Sequence, residues 1–293
     1  MDSHHIQQVR RFNRLITQRT GALETSYLRR GRPLGEARLL FEIGPSGTDI
    51  RALRTRLDLN SGYVSRLLRA LESQHLITVH PDPDDARRRV VTLTRKGRAE
   101  YTAYEKLSDA LATTWLAPLT PTQRDRLTTA MAEVEKLITA ASINVRIEPP
   151  DSDASRHCLA QYFAELATRF DTGFDPARSN SASEAEMTPP AGYFFIAWID
   201  SRPVGCGALK CNPRGIGEVK RMWTAPDARG LGVARRILHA IETEARDLRL
   251  KRLRLETNRT LLEAQSLYRT TGYREVAAFN DEPYAHHWFE KRL

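Results

Sequence analysis

The stretch Arg229-Gly230-Leu231-Gly232-Val233-Ala234 decides how this chain is read. Before it, Gly217-Glu218-Val219-Lys220-Arg221-Met222-Trp223-Thr224 has the composition of a strand, and Ala225-Pro226-Asp227-Ala228 turns the chain into the loop. After it, Ala234, Ile237, Leu238, Ile241, Ala245 and Leu248 recur along one face of a helix. A strand, a glycine-rich loop and a helix in that order bring several backbone N–H groups to the positive end of the helix. A phosphate chain makes the fullest use of such donors. An ordinary turn also explains two glycines, so the loop needs its context.

The residues next to the glycines exclude two kinds of phosphate-binding loop. A nucleoside-triphosphate loop needs Gly-Lys-Ser/Thr, and Ala234 and Arg235 stand there instead. A dinucleotide fingerprint needs a third small residue at position 235, which is Arg. Further out, Tyr193–Ile199 is a continuous apolar strand, Asp200-Ser201-Arg202-Pro203 turns it, and Val204–Leu209 returns. Leu253–Thr257 is another strand, a helix through Ala264 and Tyr268 stops at Gly272, and Tyr273–Val276 and Ala285–Glu290 supply two last strands. Residues 171–191, rich in Ser and Pro with Gly173, read as a polar loop that is mobile or folds over a substrate.

Arg229-x-x-Gly232-x-Ala234 after a strand, with Asn258 and Tyr268 beyond it, resembles the GNAT family of acetyl-coenzyme A-dependent N-acetyltransferases over about residues 143–293. The resemblance implies an α/β (α+β) GNAT fold with a mixed, splayed β-sheet, acetyl-CoA as cosubstrate, no metal, and an amine acceptor. It implies that the coenzyme's pyrophosphate lies on the amides of Arg229, Gly230, Leu231, Gly232, Val233 and Ala234. Backbone groups of Met222, Trp223 and Thr224 would pair with the pantetheine, one amide steadying the thioester oxyanion. Asn258 would bind cofactor amide groups, or else cap a strand end. Tyr268 would protonate the leaving thiolate, or else belong to the core. Because the attacking amine is an ammonium at neutral pH, with a pKa of ~10 for a lysine-like group, a base is needed. Glu218 holds the position where related enzymes put a carboxylate, with Glu256 the runner-up; a strand-edge surface carboxylate is the plain alternative for Glu218. His286 and His287 would point to opposite faces of a strand, which disfavours a shared metal, although one of them could line the acceptor pocket with Tyr284.

The first half reads differently. Of the net charge of +9, residues 1–145 carry 23 Lys+Arg against 16 Asp+Glu, so the excess of positive charge concentrates there and points to a polyanion partner. Ile6, Val9, Phe12, Leu15, Ile16 and Leu23 write an opening helix, a second spans about Leu34–Ile43, and Thr48 caps a third through Leu57. In Asn60–Leu71, Val64, Leu67, Leu68 and Leu71 form a core face, while the opposite face offers Ser61, Tyr63, Ser65, Arg66 and Arg69. Such hydroxyls and forked cations suit base edges and phosphates; a solvated helix face is the plain alternative. Leu76–Val79 and Arg89–Thr94 alternate as strands around a loop ending in Arg87-Arg88. A β-ribbon with an arginine tip beside such a helix is a winged helix-turn-helix.

Asp85-Ala86-Arg87, Val64-Ser65-Arg66 and Leu93-Thr94-Arg95-Lys96-Gly97-Arg98 make residues from about 5 to 140 resemble the MarR family of winged-helix repressors. The resemblance implies a mainly α winged helix-turn-helix with dimerisation helices. Ser61, Ser65, Arg66 and Arg69 would face the major groove of double-stranded DNA, Arg87 would enter the minor groove, and Asp85 would orient the wing through a salt bridge. A long helix from about Lys96 to Trp115 is followed by Thr120-Pro121-Thr122-Gln123, a capped helix start, and by Leu127, Met131, Val134 and Ile138 in helical register. This stripe can pack on its own domain. The MarR resemblance implies instead that it and the opening helix interlock across a two-fold axis, giving a homodimer on a palindromic operator with recognition helices ~34 Å apart.

The expectation is therefore two domains, 1–141 and 142–293, without a long flexible linker. Cys158, Cys206 and Cys211, odd in number and without metal-ligand spacing, read as reduced structural thiols. No apolar run approaches the ~20 residues of a membrane span, and the first residues lack the apolar core of a signal peptide, so a cytoplasmic protein with no membrane partner is expected. Three functions compete: a bifunctional regulator and acetyltransferase acting on a primary amine of a small molecule or protein, a regulator whose second domain senses acetyl-CoA or an amine without turnover, or a regulator that positions the enzyme to acetylate DNA-bound proteins. For the first half, selection from random duplexes with subsequent footprinting is expected to enrich an inverted repeat. Retention of arbitrary DNA with no enriched repeat would count against sequence-specific binding.

Overall fold

The computed structural model describes residues 2–293 apart from 84, 86, 172 and 181. Ala86 of the wing motif and Ser181 of the polar loop thus lie outside the described residues. The chain divides into two compact units, Met1–Ala130 and Met131–Leu293.

In the first unit, helices α1 (Ser3–Arg19), α2 (Leu34–Ile43), α3 (Ile50–Leu57), α4 (Ser61–Ser73) and α5 (Arg95–Leu116) surround a small sheet of β1 (Thr48–Asp49), β2 (Ile77–Pro81) and β3 (Arg89–Leu93) in the order β1-β3-β2. Next comes α6 (Pro121–Ala141), and the division between the units falls inside it. Each start has a local cause. Asn60 accepts from Tyr63 N at 2.8 Å to open α4, and Thr94 accepts from Gly97 N at 3.0 Å to open α5. At α6 the capping box closes both ways, Thr120 N to Gln123 Oε1 at 3.0 Å and Gln123 N to Thr120 Oγ1 at 3.3 Å. Thr48 is not the cap of α3. It is extended and paired with Val91, and the next residue, Asp49, accepts from Ala52 N at 2.9 Å instead.

Leu39, Leu40, Leu53, Leu71, Leu76 and Val91 form the sealed core of this unit. Their packing fixes the hairpin of β2 and β3, with Ile77 opposite Leu93 and Pro81 opposite Arg89.

The second unit is a mixed seven-stranded sheet in the order β4-β5-β6-β7-β8-β10-β9. The strands are β4 (Asn144–Ile147), β5 (Gly192–Ile199), β6 (Arg202–Asn212), β7 (Ile216–Thr224), β8 (Arg252–Thr257), β9 (Arg274–Val276) and β10 (His287–Arg292). β10 begins two residues later than its apolar pattern predicts. Every neighbouring pair is antiparallel except β7 with β8, which are parallel. Helices α7 (Asp153–Arg169), α8 (Val233–Asp247) and α9 (Leu262–Thr270) complete it. α8 buries Val233, Ile237, Leu238, Ile241 and Ala245; of the stripe read from sequence, Ala234 is only half-buried and Leu248, at the C-cap, is exposed. The core between sheet and helix holds Phe194, Ile196, Leu209 and Phe289, each fully buried. α7 escapes the sequence reading. Its buried positions are Ser155, Cys158 and Leu166, too few and too polar to write an apolar stripe.

Gly97 shows how tightly the first unit is assembled. A Cβ there would lie 1.9 Å from Leu76 O, a backbone atom that cannot swing away. Gly97→Ala is expected to cost about 3 kcal/mol, the upper end of the range for overpacking. Gly62→Ala, on the exposed face of α4, should be neutral or gain about 0.5 kcal/mol. Urea unfolding monitored by circular dichroism separates the two; a Gly97→Ala protein as stable as the parent would contradict the packing argument.

Candidate functional site

β7 and β8 pair only at Ile216–Glu218 against Arg252–Arg254 and then separate, although β7 runs on to Thr224 and β8 to Thr257. The β8-facing edge of β7 beyond Glu218 is thereby left without a strand partner. A register shift against β6 between Cys206 and Ala208 deforms β7 further, and Arg221 there takes a left-handed backbone, φ 58°. Two cavities occupy the wedge.

The larger has a volume of about 470 Å³ and is lined by Met222, Trp223 and Thr224 on β7 and by the glycine loop. Gly230 and Gly232 have φ of 79° and 81°, the region that favours glycine. No side chain caps α8 at Gly232, and the bond from Arg236 N to Gly232 O, 3.0 Å, is the first of that helix. The amides of Val233, Ala234 and Arg235 therefore have no helical acceptor, as the first turn of any helix requires. A Cβ built on Gly232 would meet nothing within 4 Å, so room is open in front of those donors. Leu231 instead packs against the core. At the cavity's edge Glu165 Oε2 accepts from Trp223 Nε1 at 3.0 Å and from Arg229 at 2.6 Å, while Arg169 bridges Glu165 and Glu263.

The smaller cavity, about 100 Å³, lies beyond Tyr268. Tyr162, Leu166, Met222, Leu261, Ala264 and Tyr268 line both spaces. Tyr268 is buried, its ring tilted against Phe289 with centroids 5.8 Å apart. Burial drives its pKa well above the ordinary phenol value, and it pushes Tyr162 up to about 12. Glu256, on β8, lines the smaller cavity and forms a close ion pair with the buried Lys220. Lys220 Nζ also lies 3.4 Å from Glu218 Oε2, but Glu218 lines neither cavity.

Asn258 lines the smaller cavity, not the one that meets the glycine loop. Its amide nitrogen donates to Tyr284 O at 2.8 Å and its oxygen accepts from Thr260 N at 3.0 Å, so the side chain ties two loops together. Tyr284 lines this cavity too, whereas His287 is engaged with Glu275 at 2.6 Å and neither His286 nor His287 faces the space. Phe174, Ser179, Asn180 and Ala182 of the polar loop line it as well.

In the first unit Ser61, Ser65, Arg66 and Arg69 are all exposed on α4. Arg66 lies over the Tyr63 ring at 5.3 Å, and Arg69 Nε donates to Ser65 O at 3.2 Å. Arg87 is exposed at the hairpin tip. Its backbone N–H donates to Asp85 Oδ1 at 3.0 Å, and Asp85 pairs with Arg88 at 3.5 Å.

Sequence reasoning misses everything that α7 brings, namely Tyr162, Glu165 and Arg169. One signal is legible: Ser152-Asp153-Ala154-Ser155 is a helix start, Ser152 Oγ accepting from Ser155 N at 3.2 Å. Lys220 and Arg221 are also passed over, because charges inside a strand pattern read as its solvent face.

Comparison with known proteins finds two families in the chain. An acetyltransferase (GNAT) family model matches residues 160–273, and a MarR family model matches residues 30–88. An IAA acetyltransferase from Azospirillum brasilense is 35% identical over 140 residues, covering 47% of this chain and 88% of that protein. The uncharacterized N-acetyltransferase YjgM from Escherichia coli (strain K12) is 27% identical over 135 residues, 45% of this chain and 81% of its own. A crystal structure of a probable transcriptional regulator from Pseudomonas aeruginosa is 25% identical, covers 43% of this chain and 96% of that chain, and has a TM-score of 0.38. With its open mixed sheet and its helical, MarR-matching first region, the chain belongs to the GNAT acetyltransferase family and carries a MarR-family region ahead of that domain.

Proposed function

We propose that the protein is a dimeric DNA-binding regulator, over residues 1–141, fused to an acetyl-CoA-dependent N-acetyltransferase, over residues 142–293. The observation that carries the catalytic reading is that Tyr268 lines both the glycine-loop cavity and the smaller one beyond it. A phenol common to two spaces meets a donor from one side and an acceptor from the other.

Acetyl-CoA supplies the acetyl thioester. The amides of Gly230, Gly232, Val233 and Ala234 hold its diphosphate, with the α8 dipole behind them, while those of Arg229 and Leu231 turn to Pro226 O and Ala228 O. The free edge of β7 at Met222, Trp223 and Thr224 aligns the pantetheine by backbone pairing. Glu256 is assigned the proton of the acceptor ammonium, because its Oε2 is buried without a hydrogen-bond partner. Glu218, the carboxylate favoured by the sequence, acts on the same Lys220 from outside the lining. Asn258 organises Tyr284 and Thr260 around the acceptor side. As the amine nitrogen bonds to the carbonyl carbon and the C–S bond breaks, Tyr268 presents its O–H to the departing sulfur. A phenolate is costly in that burial, so the second amine proton returns to the phenol as its own is given up.

For the regulator half, the exposed apolar residues Ile6, Val9, Phe12 and Leu15 on α1 and Leu137 and Ile138 on α6 support a dimer that covers them. Ser61, Ser65, Arg66, Arg69 and Arg87 then meet a palindromic duplex, with the acceptor amine and DNA as separate partners.

Thiol release against a panel of amines tests the catalytic half. Tyr268→Phe should lower kcat about 100-fold or more with little change in the KM for acetyl-CoA. An unaffected kcat would remove Tyr268 from the mechanism. Because its pKa is raised, Tyr268 keeps its proton to above about pH 10, so kcat should climb with pH and not fall before that point. An alkaline decline at lower pH that disappears in Tyr268→Phe would contradict the assignment. Gly232→Val puts a branched side chain at a left-handed position in front of the loop amides. Calorimetry should read acetyl-CoA affinity about 10- to 100-fold weaker; unchanged affinity would mean that the diphosphate lies elsewhere.

A further inference from the structure

We propose that the smaller cavity is built for a compact zwitterion, an amine that carries a carboxylate a few bonds from its nitrogen, on the scale of a small amino acid. The inference rests on the acetyltransferase reading for the fate of the amine, but not for its binding.

Two polar atoms at this cavity stand out among the described residues. Glu256 has a side chain only 8% exposed; Oε1 is taken by Lys220, and Oε2 is buried with no hydrogen-bond partner. Arg221 donates from one terminal nitrogen to Ala182 O at 3.1 Å and lies over the Phe163 ring at 4.5 Å, yet its Nε is buried and unpartnered. Both residues line the same space. A buried donor and a buried acceptor left unpaired are uncommon in native proteins and costly. They are also opposite in kind. An ammonium is the complement in kind of Glu256 Oε2, and a carboxylate that of Arg221 Nε.

Charge balance points the same way. The charged side chains lining the cavity are Lys220, Arg221, Glu256 and Glu282, two of each sign. Glu282 is already committed, its Oε2 accepting from Ser179 Oγ at 2.9 Å and Asn180 N at 2.6 Å, and its Oε1 from Tyr284 N at 3.2 Å. A guest of zero net charge preserves that neutrality, whereas a polyamine would bring a second cation with no free carboxylate to meet it. A carboxylate-free amine would leave Arg221 Nε unpaired. Burial already lowers the Arg221 pKa, a penalty that an anionic group beside it relieves. Size adds a limit: about 100 Å³ is roughly three times the share of one liquid water, so little beyond the ammonium and carboxylate fits. Phe174 and Tyr284, with centroids 4.9 Å apart, supply apolar wall.

The test uses the full-length protein and three probes of matched bulk: L-alanine, ethylamine, which lacks the carboxylate, and L-alaninamide, which lacks its charge. Binding is read by calorimetry with coenzyme A present, and transfer by thiol release from acetyl-CoA. L-Alanine should bind about 10- to 100-fold more tightly than either analogue. Arg221→Gln should collapse that preference, and Arg221→Lys should restore part of it. Binding of ethylamine or L-alaninamide as tight as that of L-alanine in the parent protein would overturn the proposal without using any variant. Absence of binding by all three would overturn it equally. L-Alanine that binds selectively yet gives no thiol release would uphold the zwitterion site and sink the acetyltransferase reading instead.

Discussion

The parting of β7 from β8 beyond Glu218 is the constraint on which the second unit depends. Two parallel strands that stayed paired would satisfy their own backbone groups and leave nothing for a ligand. Here the pairing stops after Ile216–Glu218, and a run of β7 donors and acceptors is left open. The wedge is held apart by side chains on both flanks. α9 and the turn before it bring Leu261, Ala264 and Tyr268, and α7 brings Tyr162 and Leu166. The glycine loop can deliver its amides to the same wedge because it comes directly after β7. The loop, the free strand edge and the phenol are thus consequences of a single interruption in one ladder.

Electrostatics divides the wedge into two environments. On the glycine-loop side Arg169, Arg229 and Arg235 line the larger cavity with Glu165 and Glu263, a cluster suited to a bound anion whose charge the arginines can share. On the other side charge is internal and nearly cancelled, the buried Lys220 holding Glu256 and Glu218 together. Buried ion pairs of this kind add little stability, since desolvation consumes most of the attraction. Removing one partner is another matter, because it strands an uncompensated charge. Lys220 therefore matters more for holding Glu256 in place than for strengthening the fold.

The first unit obeys a different rule. Its core is small and sealed around Leu39, Leu40 and Leu71, and neither α1 nor α6 buries a single residue fully. Apolar side chains on α1 such as Val9, 58% exposed, are surface that an isolated chain leaves in water. Meanwhile α4 turns its leucines inward and its arginines outward with no compromise between core and interface, because a 3.6-residue period separates the two faces cleanly.

What the sequence by itself determined is what local chemistry writes. The capping box of Thr120 and Gln123, the leucine face of α4 and most of the stripe of α8 all come from residues within a few positions of one another. The family resemblances rest on the same short stretches. What only the tertiary structure decided is what distant segments share. α7 was invisible because it buries small and polar residues against strands far from it in the chain. Glu218 and Glu256 are equivalent as strand carboxylates in sequence, and only the point at which β7 leaves β8 puts one in the cavity lining and the other outside it. Asn258 reads as a ligand group in sequence, and only the tertiary structure ties its amide to Tyr284 and Thr260. Periodicity and capping are set within a turn or a strand, while the partners of a side chain are set by which strands lie side by side, and that choice belongs to the whole sheet.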